Sequence, residues 1–94
     1  MILSFRDNDT QRLFDGERPR RVPADVAKRA VRKLFLIDTA TRLDDLRVPP
    51  GNMLERLDGD RSGQYSIRVN DQWRICFEWF DGDAYYVEFV DYHG

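Results

Sequence analysis

The fold of this chain is decided by its C-terminal half, which contains the runs GQYSIRV (63–69), WRICFEWF (73–80) and AYYVEFVDYH (84–93). These runs are rich in β-branched and aromatic residues, which favour strands. Turn-forming residues separate them, with NDQ at 70–72 and DGD at 81–83. The pattern predicts three antiparallel strands that follow one another as a meander.

The lengths of the two loops predict which side chains share a face of the sheet. A three-residue loop at 70–72 sets Val69 opposite Trp73, and strand alternation then collects an apolar face. A two-residue turn would instead mix these apolar side chains with polar ones in the core. We therefore predict three-residue loops at both turns. The predicted pairs on the apolar face are Tyr65 with Phe77, Ile67 with Ile75, Trp79 with Tyr85, Phe77 with Val87 and Ile75 with Phe89.

The opposite face of the meander is predicted to be open, because its side chains are too polar for a second core. Its members are Ser66, Arg68, Arg74, Cys76, Glu78, Tyr86, Glu88, Val90 and Tyr92. The register sets Arg74 opposite Val90, close to the end of the last strand. We therefore expect one edge of the sheet to bring together Arg68, Arg74, Asp91, Tyr92 and His93.

The first half of the chain predicts helices that cover the apolar face. Residues 2–5 are apolar and are predicted as an edge strand, and Asp7 or Asp9 can cap a short helix. A longer helix is predicted from Pro23 to about Asp38. Its apolar stripe consists of Val26, Ala30, Leu34 and Ile37, widened by Val31 and Phe35.

The segments between this helix and the meander complete the predicted fold. Residues 42–47 predict one or two further helical turns, and the prolines at 49 and 50 require an extended or turned connection. Residues 54–57 predict a short strand before a turn at 58–63. We therefore predict one α+β domain over residues 1–94, with an antiparallel sheet of about four strands and two or three helices packed on one face.

The composition excludes several classes of protein. There is no run of about 18 apolar residues and no basic-then-apolar leader, so we expect a cytoplasmic protein without a membrane segment. The single cysteine, Cys76, allows no internal disulfide and has no Cys or His neighbours at ligand spacing. We therefore expect neither a bound metal nor another cofactor.

The charged residues are distributed unevenly, although the net charge is only −2. Residues 1–47 contain 11 Lys and Arg against 8 Asp and Glu, whereas residues 48–94 contain 4 against 9. A local basic patch can bind phosphate even when the whole protein is acidic. A solvated helix face is the alternative explanation of the basic run. Its candidates for phosphate or RNA binding are Arg20, Arg21, Lys28 and Arg32.

Four motifs give the chain a resemblance to a known family. They are IDTAT (37–41), LDGDRSG (57–63), SIRVNDQWRI (66–75) and VDYH (90–93). In this order and at this spacing they resemble the HigB branch of the RelE-like toxins of bacterial type II toxin–antitoxin systems, over essentially the full length. The resemblance implies a RelE-like, microbial RNase-type fold and an endoribonuclease that cleaves messenger RNA in the ribosomal A site.

The resemblance also implies the partners of the chain. These are the ribosome, messenger RNA and a HigA-like antitoxin with a helix-turn-helix domain, which holds the toxin inactive and alone contacts operator DNA. We expect the antitoxin to bind the helical side and the first half of the chain. The terminal Asp-Tyr-His would then remain partly open.

The catalytic residues of the family can be carried over by position. Its terminal Asp-Tyr-His corresponds to Asp91, Tyr92 and His93, and its strand arginine after tryptophan corresponds to Arg74. Well-studied members place a second catalytic histidine where this chain has Glu55, so Glu55 is the substitute base. Asp91 is expected to orient His93 or Arg74. The acidic balance of the chain also departs from the usual basic character of the family.

The residue types suit RNA cleavage without a metal. The reaction needs a base for the 2′-hydroxyl proton, positive charge on the phosphate and an acid for the leaving 5′-oxygen. His93 is the only histidine and is assigned as acid or base. Arg74, with Arg68 and Arg61 in secondary roles, would bind phosphate. Tyr92 would orient the nucleophile, donate a proton or stack on a base.

Each of these assignments has a structural alternative. A penultimate histidine is often an exposed terminal residue, and Arg68 and Arg74 could pair across strands with Glu78 and Glu88. Two other functions therefore stay open at this point. One is a catalytically weak toxin that inhibits growth by occupying the ribosome or RNA, and the other is a small interaction module unrelated to RNA.

Overall fold

The computed structural model describes residues 1–92, which form two α-helices and a four-stranded antiparallel sheet. The helices are α1 (Asn8–Phe14) and α2 (Ala24–Thr39). The strands, which lie in the sheet in chain order, are β1 (Glu55–Arg56), β2 (Tyr65–Arg68), β3 (Trp73–Phe80) and β4 (Asp83–Asp91). The connections contain three 3₁₀ helices, Leu43–Arg47, Pro50–Asn52 and Gly59–Arg61. The predicted α+β class is confirmed.

Helix α1 begins at one of the predicted aspartate caps. Oδ1 of Asp7 accepts a hydrogen bond from the backbone N–H of Thr10 at 2.7 Å, which satisfies a donor at the start of the helix. Leu13 is buried in the core, and the chain turns away at Gly16 with a φ of 97°. The Thr10 hydroxyl accepts from the N–H of Phe89 at 3.0 Å, so α1 is fixed directly to β4.

Helix α2 packs its predicted apolar stripe into the core. Its buried residues are Val26, Ala27, Ala30, Leu34 and Ile37. The prediction that Phe35 widens this stripe is wrong, because Phe35 is 53% exposed and its ring lies against Phe14 with centroids 5.5 Å apart. No helix within residues 1–92 has the length and apolar character needed to cross a membrane.

The first hairpin has the predicted three-residue loop. The N–H of Val69 donates to the carbonyl of Trp73 at 2.9 Å. The Asn70 side chain closes the loop, since its Oδ1 accepts from the N–H groups of Gln72 and Trp73 at 2.9 and 2.8 Å. The predicted pairs Tyr65 with Phe77 and Ile67 with Ile75 are confirmed.

The second hairpin differs from the prediction at its turn. Asp81 and Gly82 form a two-residue turn with φ of 52° and 83°, a conformation that the Asp-Gly pair favours. The predicted three-residue loop is therefore wrong, and so is the pair Trp79 with Tyr85. The observed pairs at the turn are Glu78 with Tyr85, Trp79 with Ala84 and Phe80 with Asp83.

A β-bulge in β4 restores the predicted register beyond this turn. The bulge of β4 lies opposite the segment of β3 between Cys76 and Glu78. Within the bulge, Tyr86 adopts a φ of 53°. One extra residue in β4 compensates for the missing loop residue, so the apolar side chains return to the core face. The predicted pairs Ile75 with Phe89 and Arg74 with Val90 are confirmed.

The N-terminal segment lies along the outer edge of β4. Single parallel bridges join Ile2 to Ala84 and Phe5 to Val87, and Asp38 of α2 accepts a hydrogen bond from the N–H of Ile2 at 2.9 Å. The predicted edge strand is thus present as isolated bridges. It covers main-chain groups of β4 that would otherwise be exposed at a sheet edge.

The second face of the sheet is closed at its centre, contrary to the prediction of an open face. Ser66 and Cys76 are completely buried, and Arg74 is only 8% exposed. Burial raises the pKa of the Cys76 thiol, with Arg61 acting in the opposite direction. A neutral, inaccessible thiol is not a nucleophile, so Cys76 is structural.

Asn52 is a buried polar residue that ties α2 to the two 3₁₀ helices before the sheet. Its Nδ2 donates to the carbonyls of Leu46 and Val48 at 3.1 and 3.3 Å, and its Oδ1 accepts from Nζ of Lys33. The sequence analysis did not identify it. A side chain that satisfies three partners from inside the protein fixes the path of the connection.

Replacing Asn52 by alanine is expected to destabilise the fold by about 2–3 kcal/mol, because two buried carbonyls and a lysine lose their partner. The midpoint of urea denaturation, at an unchanged slope, measures the loss. Asn8→Ala is the control, since Asn8 is exposed at the start of α1 and its loss should shift stability by less than about 0.5 kcal/mol. Equal midpoints for the two variants would contradict a structural role for Asn52.

Candidate active site

Arg74 on β3 is the centre of the candidate active site. Its Nε donates to Oγ of Ser66 at 2.8 Å, and its Nη2 donates to the carbonyl of Met53 at 2.8 Å. Nη2 also lies 3.4 Å from the carbonyl of Ser66. Partners on two separate segments therefore hold the guanidinium in one orientation.

Glu55 and Tyr92 approach the same guanidinium. Oε2 of Glu55 on β1 is 3.8 Å from Nη2 of Arg74, and the Glu55 side chain is 50% exposed. The ring centroid of Tyr92 lies 5.9 Å from Cζ of Arg74, within the range of a cation–π contact. The N–H of Tyr92 donates to the carbonyl of Gln72 at 2.6 Å, which fixes Tyr92 beside the start of β3. The structure thus brings together Glu55, Arg74 and Tyr92.

Of the two other predicted catalytic residues, the structure describes only Asp91, and it does not place Asp91 beside Arg74. Asp91 pairs with Trp73, so strand alternation directs it to the face opposite Arg74. Its Oδ2 accepts from Nε2 of Gln72 at 3.0 Å. His93 lies outside the described residues, so its assignment as acid or base stays a prediction.

Arg61 lies in a separate charged cluster on the same face of the sheet. Its Nη1 donates to Glu88 and to Gln64, each at 3.1 Å, and Arg6 approaches Glu88 at 3.7 Å. Partial burial lowers the pKa of Arg61, but several smaller effects together raise it above its usual value, and the hydrogen bond to Glu88 is the largest of these. Arg61 therefore remains cationic, with its charge largely balanced by Glu88. Glu88 therefore pairs with Arg61 and Arg6 and not with Arg68 or Arg74.

Arg68 lines a basic groove between α2 and the end of β2. The groove has a volume of about 470 Å³, and its lining residues are Arg29, Arg32, Lys33, Leu36, Pro49, Gly51, Arg68 and Val69. Burial, followed by the charges of Arg29 and Arg68, lowers the pKa of Lys33. The lining contains four cationic side chains and no acidic one, so the groove carries positive charge, although Asp71 pairs with Arg68.

The remaining phosphate-binding candidates do not form one surface. Arg20 is exposed, and Arg21 pairs with Asp9 at 3.3 Å while its guanidinium lies 5.5 Å from the centroid of Trp73. Lys28 and Arg32 project from α2 at helical spacing, but only Arg32 lines the basic groove. The structure therefore joins Arg32 with Arg68 and leaves the other candidates elsewhere.

Comparison with known proteins identifies the family of the chain. Residues 3–93 match the HigB-like toxin family, described as the RelE-like toxin of type II toxin-antitoxin system HigB. The chain belongs to this family. The toxin is 42% identical over 85 residues to Toxin HigB-1 of Vibrio cholerae, which covers 89% of this chain and 90% of that protein. It is 40% identical over 93 residues to Endoribonuclease HigB of Proteus vulgaris, which covers 99% of this chain and 100% of that protein.

A third relative is similar in sequence, but its name states no function. An uncharacterised protein of Haemophilus influenzae is 37% identical to the toxin over 81 residues, with 85% of this chain and 80% of that protein covered. Membership of a type II toxin–antitoxin family implies that the toxin has an antitoxin partner. The recognition made from the four motifs is confirmed.

The structure adds supporting residues to the site that the sequence analysis did not assign. Ser66 positions Nε of Arg74, and the carbonyl of Met53 positions Nη2. Strand alternation places Ser66 on the face of Arg74 and could have revealed it. The Met53 carbonyl faces the site because the residue adopts a left-handed φ of 46°, for which the sequence carries no signal. Within residues 1–92, no His, Cys, Asp and Glu side chains form a group of three that could hold a metal ion.

Proposed function

We propose that the toxin is an endoribonuclease that cleaves messenger RNA on the ribosome and thereby inhibits translation and growth. The observation that carries this proposal is the buried, two-point anchoring of Arg74 beside Glu55 and Tyr92. Fixed cationic donors of this kind stabilise charge that develops on a phosphate. The relative from Proteus vulgaris, which matches along nearly the whole chain, is named an endoribonuclease.

The proposed reaction is attack of the 2′-hydroxyl on the adjacent phosphate. A base takes the proton from the 2′-oxygen, the new P–O2′ bond forms, the P–O5′ bond breaks, and an acid gives a proton to the leaving 5′-oxygen. The products are a 2′,3′-cyclic phosphate and a 5′-hydroxyl. The step moves protons, forms the P–O2′ ester bond and breaks the P–O5′ ester bond, so it needs no oxidant. Arg74 would stabilise the charge on the phosphate, a role that a metal ion has in other nucleases.

The residues of the site suit the parts of this reaction. The described hydrogen bonds of Arg74 use Nε and Nη2, which leaves Nη1 to bind a phosphate oxygen. Glu55 and His93 are the candidates for base and acid. Tyr92 would stack on a base or orient the nucleophile, because its ring already lies beside the guanidinium. Asp91 would support the end of β4 through Gln72.

The basic groove would bind RNA away from the scissile phosphate. Arg68 pairs in register with Arg74, so the groove begins next to the proposed active site. Backbone phosphates placed there would meet Arg29, Arg32 and Lys33 in turn. The groove therefore gives the acidic toxin a local surface for messenger or ribosomal RNA, with Arg61, Arg20, Arg21 and Lys28 as outlying contacts.

The proposed partners follow from the same function. The toxin would act in the cytoplasm, where ribosomes are found, and a HigA-like antitoxin with a helix-turn-helix domain would hold it inactive. Operator DNA would be contacted only by that antitoxin. The ribosome would hold the messenger RNA in the geometry needed for cleavage, which the small site of the toxin does not impose alone.

Mapping of transcript 5′ ends after brief expression of the toxin tests the proposed function. We expect new 5′-hydroxyl ends inside translated reading frames within minutes, and none in the same RNA incubated with toxin but without ribosomes. Growth arrest with intact transcripts would contradict the nuclease proposal. It would favour the second candidate, inhibition by occupancy, which the placement of the Glu55 carboxylate beside the phosphate-binding Arg74 makes a real alternative.

A further inference from the structure

Lys33 is an amine surrounded by arginines in the basic groove. Among the described residues that line this groove, Lys33 is the one that carries an amine. Arg29 of α2 and Arg68 of β2 both lie close enough to act on its charge. The chain contains one other lysine, Lys28, which is exposed on the same helix and does not line the groove. The two lysines therefore have very different surroundings within one short helix.

The surroundings of Lys33 favour the neutral form of its amine. Burial, followed by the positive charges of Arg29 and Arg68, lowers the pKa of Lys33. A lowered pKa increases the fraction of the amine that is unprotonated at a given pH and is therefore nucleophilic. Oδ1 of the buried Asn52 accepts a hydrogen bond from Nζ. This contact uses an N–H and leaves the lone pair of the neutral amine unused.

The arginines of the groove provide a site for an oxyanion next to this amine. Within residues 1–92, neither Arg29 nor Arg32 forms an ion pair, and both are exposed. Arg68 is partly balanced by Asp71. Guanidinium groups bind phosphate oxygens through paired N–H donors. The groove thus places two unpaired guanidiniums and a third, paired one around a single nucleophile.

We propose that Lys33 is an acylation site, which takes an acyl group from a small acyl phosphate bound in the basic groove. An acyl phosphate has both features that the groove selects. Its phosphate suits the guanidiniums, and its electrophilic carbonyl carbon, joined to the phosphate through one oxygen, suits the amine. A thioester of a nucleotide carrier has its phosphates at the far end of a long arm, so its phosphate and its carbonyl would not both lie in a groove of about 470 Å³.

The proposed reaction transfers one acyl group and releases one proton. The neutral Nζ of Lys33 attacks the carbonyl carbon, the new N–C bond forms, and the C–O bond to the phosphate breaks. The phosphate leaves with the bonding electrons, and the proton of the amine passes to it or to water. The guanidiniums stabilise the charge that develops on the departing phosphate. The products are an amide at Lys33 and inorganic phosphate, so the step needs no oxidant, reductant or further co-reactant.

Acylation of Lys33 would change the charge of the groove without breaking its structure. It removes one of the four positive charges of the lining. The amide keeps one N–H, which continues to serve Oδ1 of Asn52. A groove with fewer cations attracts RNA phosphates less strongly. This weakening of RNA binding rests on the proposed function, whereas the acylation itself does not.

Incubation of the full-length toxin with acetyl phosphate, followed by quantitative peptide mass spectrometry, tests the proposal. We expect the acetyl group to appear on Lys33 about tenfold faster than on Lys28, because the guanidiniums hold the phosphate of the donor. Acetic anhydride is the comparison, since it is an uncharged donor without a phosphate, and the preference for Lys33 should shrink with it. Equal rates at the two lysines with acetyl phosphate, or the same preference with both donors, overturn the proposal.

Arg29→Gln tests whether the arginines of the groove bind the donor. The substitution removes a cation from the exposed surface of α2, so acetylation of Lys33 by acetyl phosphate should slow several-fold. Arg12→Gln is the matched control, because it removes the same charge from the exposed end of α1, outside the groove, and should leave the rate unchanged. Acetylation at the wild-type rate in Arg29→Gln would contradict the proposal. This measurement involves no RNA, so the acylation site and the proposed nuclease can fail separately.

Discussion

Replacing Arg74 by lysine is expected to lower the rate of RNA cleavage by the toxin about 10²- to 10³-fold. Two different nitrogens fix the guanidinium, with Nε on Ser66 and Nη2 on the Met53 carbonyl. A lysine ammonium is a single charge on a flexible stem and cannot reach both acceptors while it also faces a phosphate. Single-turnover cleavage of a ribosome-bound transcript measures the loss directly.

Arg56→Lys provides the matched control for this substitution. Arg56 lies on β1 next to Glu55 but is exposed and belongs to no part of the site, so its replacement should leave the cleavage rate unchanged. Arg74→Lys also leaves a buried acceptor unpaired, at a cost of about 1–3 kcal/mol, so urea denaturation must confirm that the variant is folded in the assay. A folded Arg74→Lys toxin with the wild-type cleavage rate would rule out Arg74 as the phosphate-binding residue.

The sheet could be predicted from the sequence because its apolar pattern repeats along three consecutive strands. Any register that placed Ile67, Ile75 and Phe89 on different faces would leave polar groups in the core. The same argument failed at the second turn, where the strong preference of Asp81-Gly82 for a two-residue turn prevails locally. The bulge at Tyr86 allows both the two-residue turn and the apolar register of the sheet, and no simple sequence pattern predicts it.

The position of Arg74 was predictable, but its surroundings were not. Strand alternation placed it with Ser66 on the less apolar face, and a polar face is normally assigned to solvent. Here the Met53 carbonyl and the Glu55 carboxylate approach from the segment before β2. Their approach depends on the path of residues 48–54, which Asn52 fixes through contacts distant in sequence. Long-range contacts of this kind leave no local signal.

The basic run of the first half also shows why charge alone does not define a binding surface. Lys28 and Arg32 are one turn apart, yet only Arg32 reaches the basic groove. Arg32 shares the basic groove with Arg68 from β2 and with Lys33, whose Nζ donates to the buried Asn52. The charge count located the basic run, whereas tertiary packing decided which of its cations meet.

Replacing His93 by alanine is expected to lower RNA cleavage about 10²- to 10⁴-fold, the usual contribution of a general acid or base. His93 is the only histidine of the chain, so it is the only side chain with an ordinary pKa of about 6.5. One limb of the pH–rate profile near neutrality should therefore disappear in the variant. Tyr85→Phe is the control, because Tyr85 is a half-buried residue at the far end of β4 and outside the site.

The direction in which the cleavage rate changes with pH along that limb tells which proton His93 moves, the one taken from the 2′-hydroxyl or the one given to the 5′-oxygen. If the neutral imidazole is the base, cleavage by the wild-type toxin falls as the pH drops through the pKa of His93, because protonation removes the acceptor. If the imidazolium is the acid, cleavage falls as the pH rises through the same pKa, and Glu55 must then supply the base. In the second case Glu55→Gln, which keeps the shape but removes the charge beside Arg74, should also lower cleavage about 10²-fold or more. An unaltered rate and pH profile in His93→Ala would exclude His93 from the reaction under either assignment.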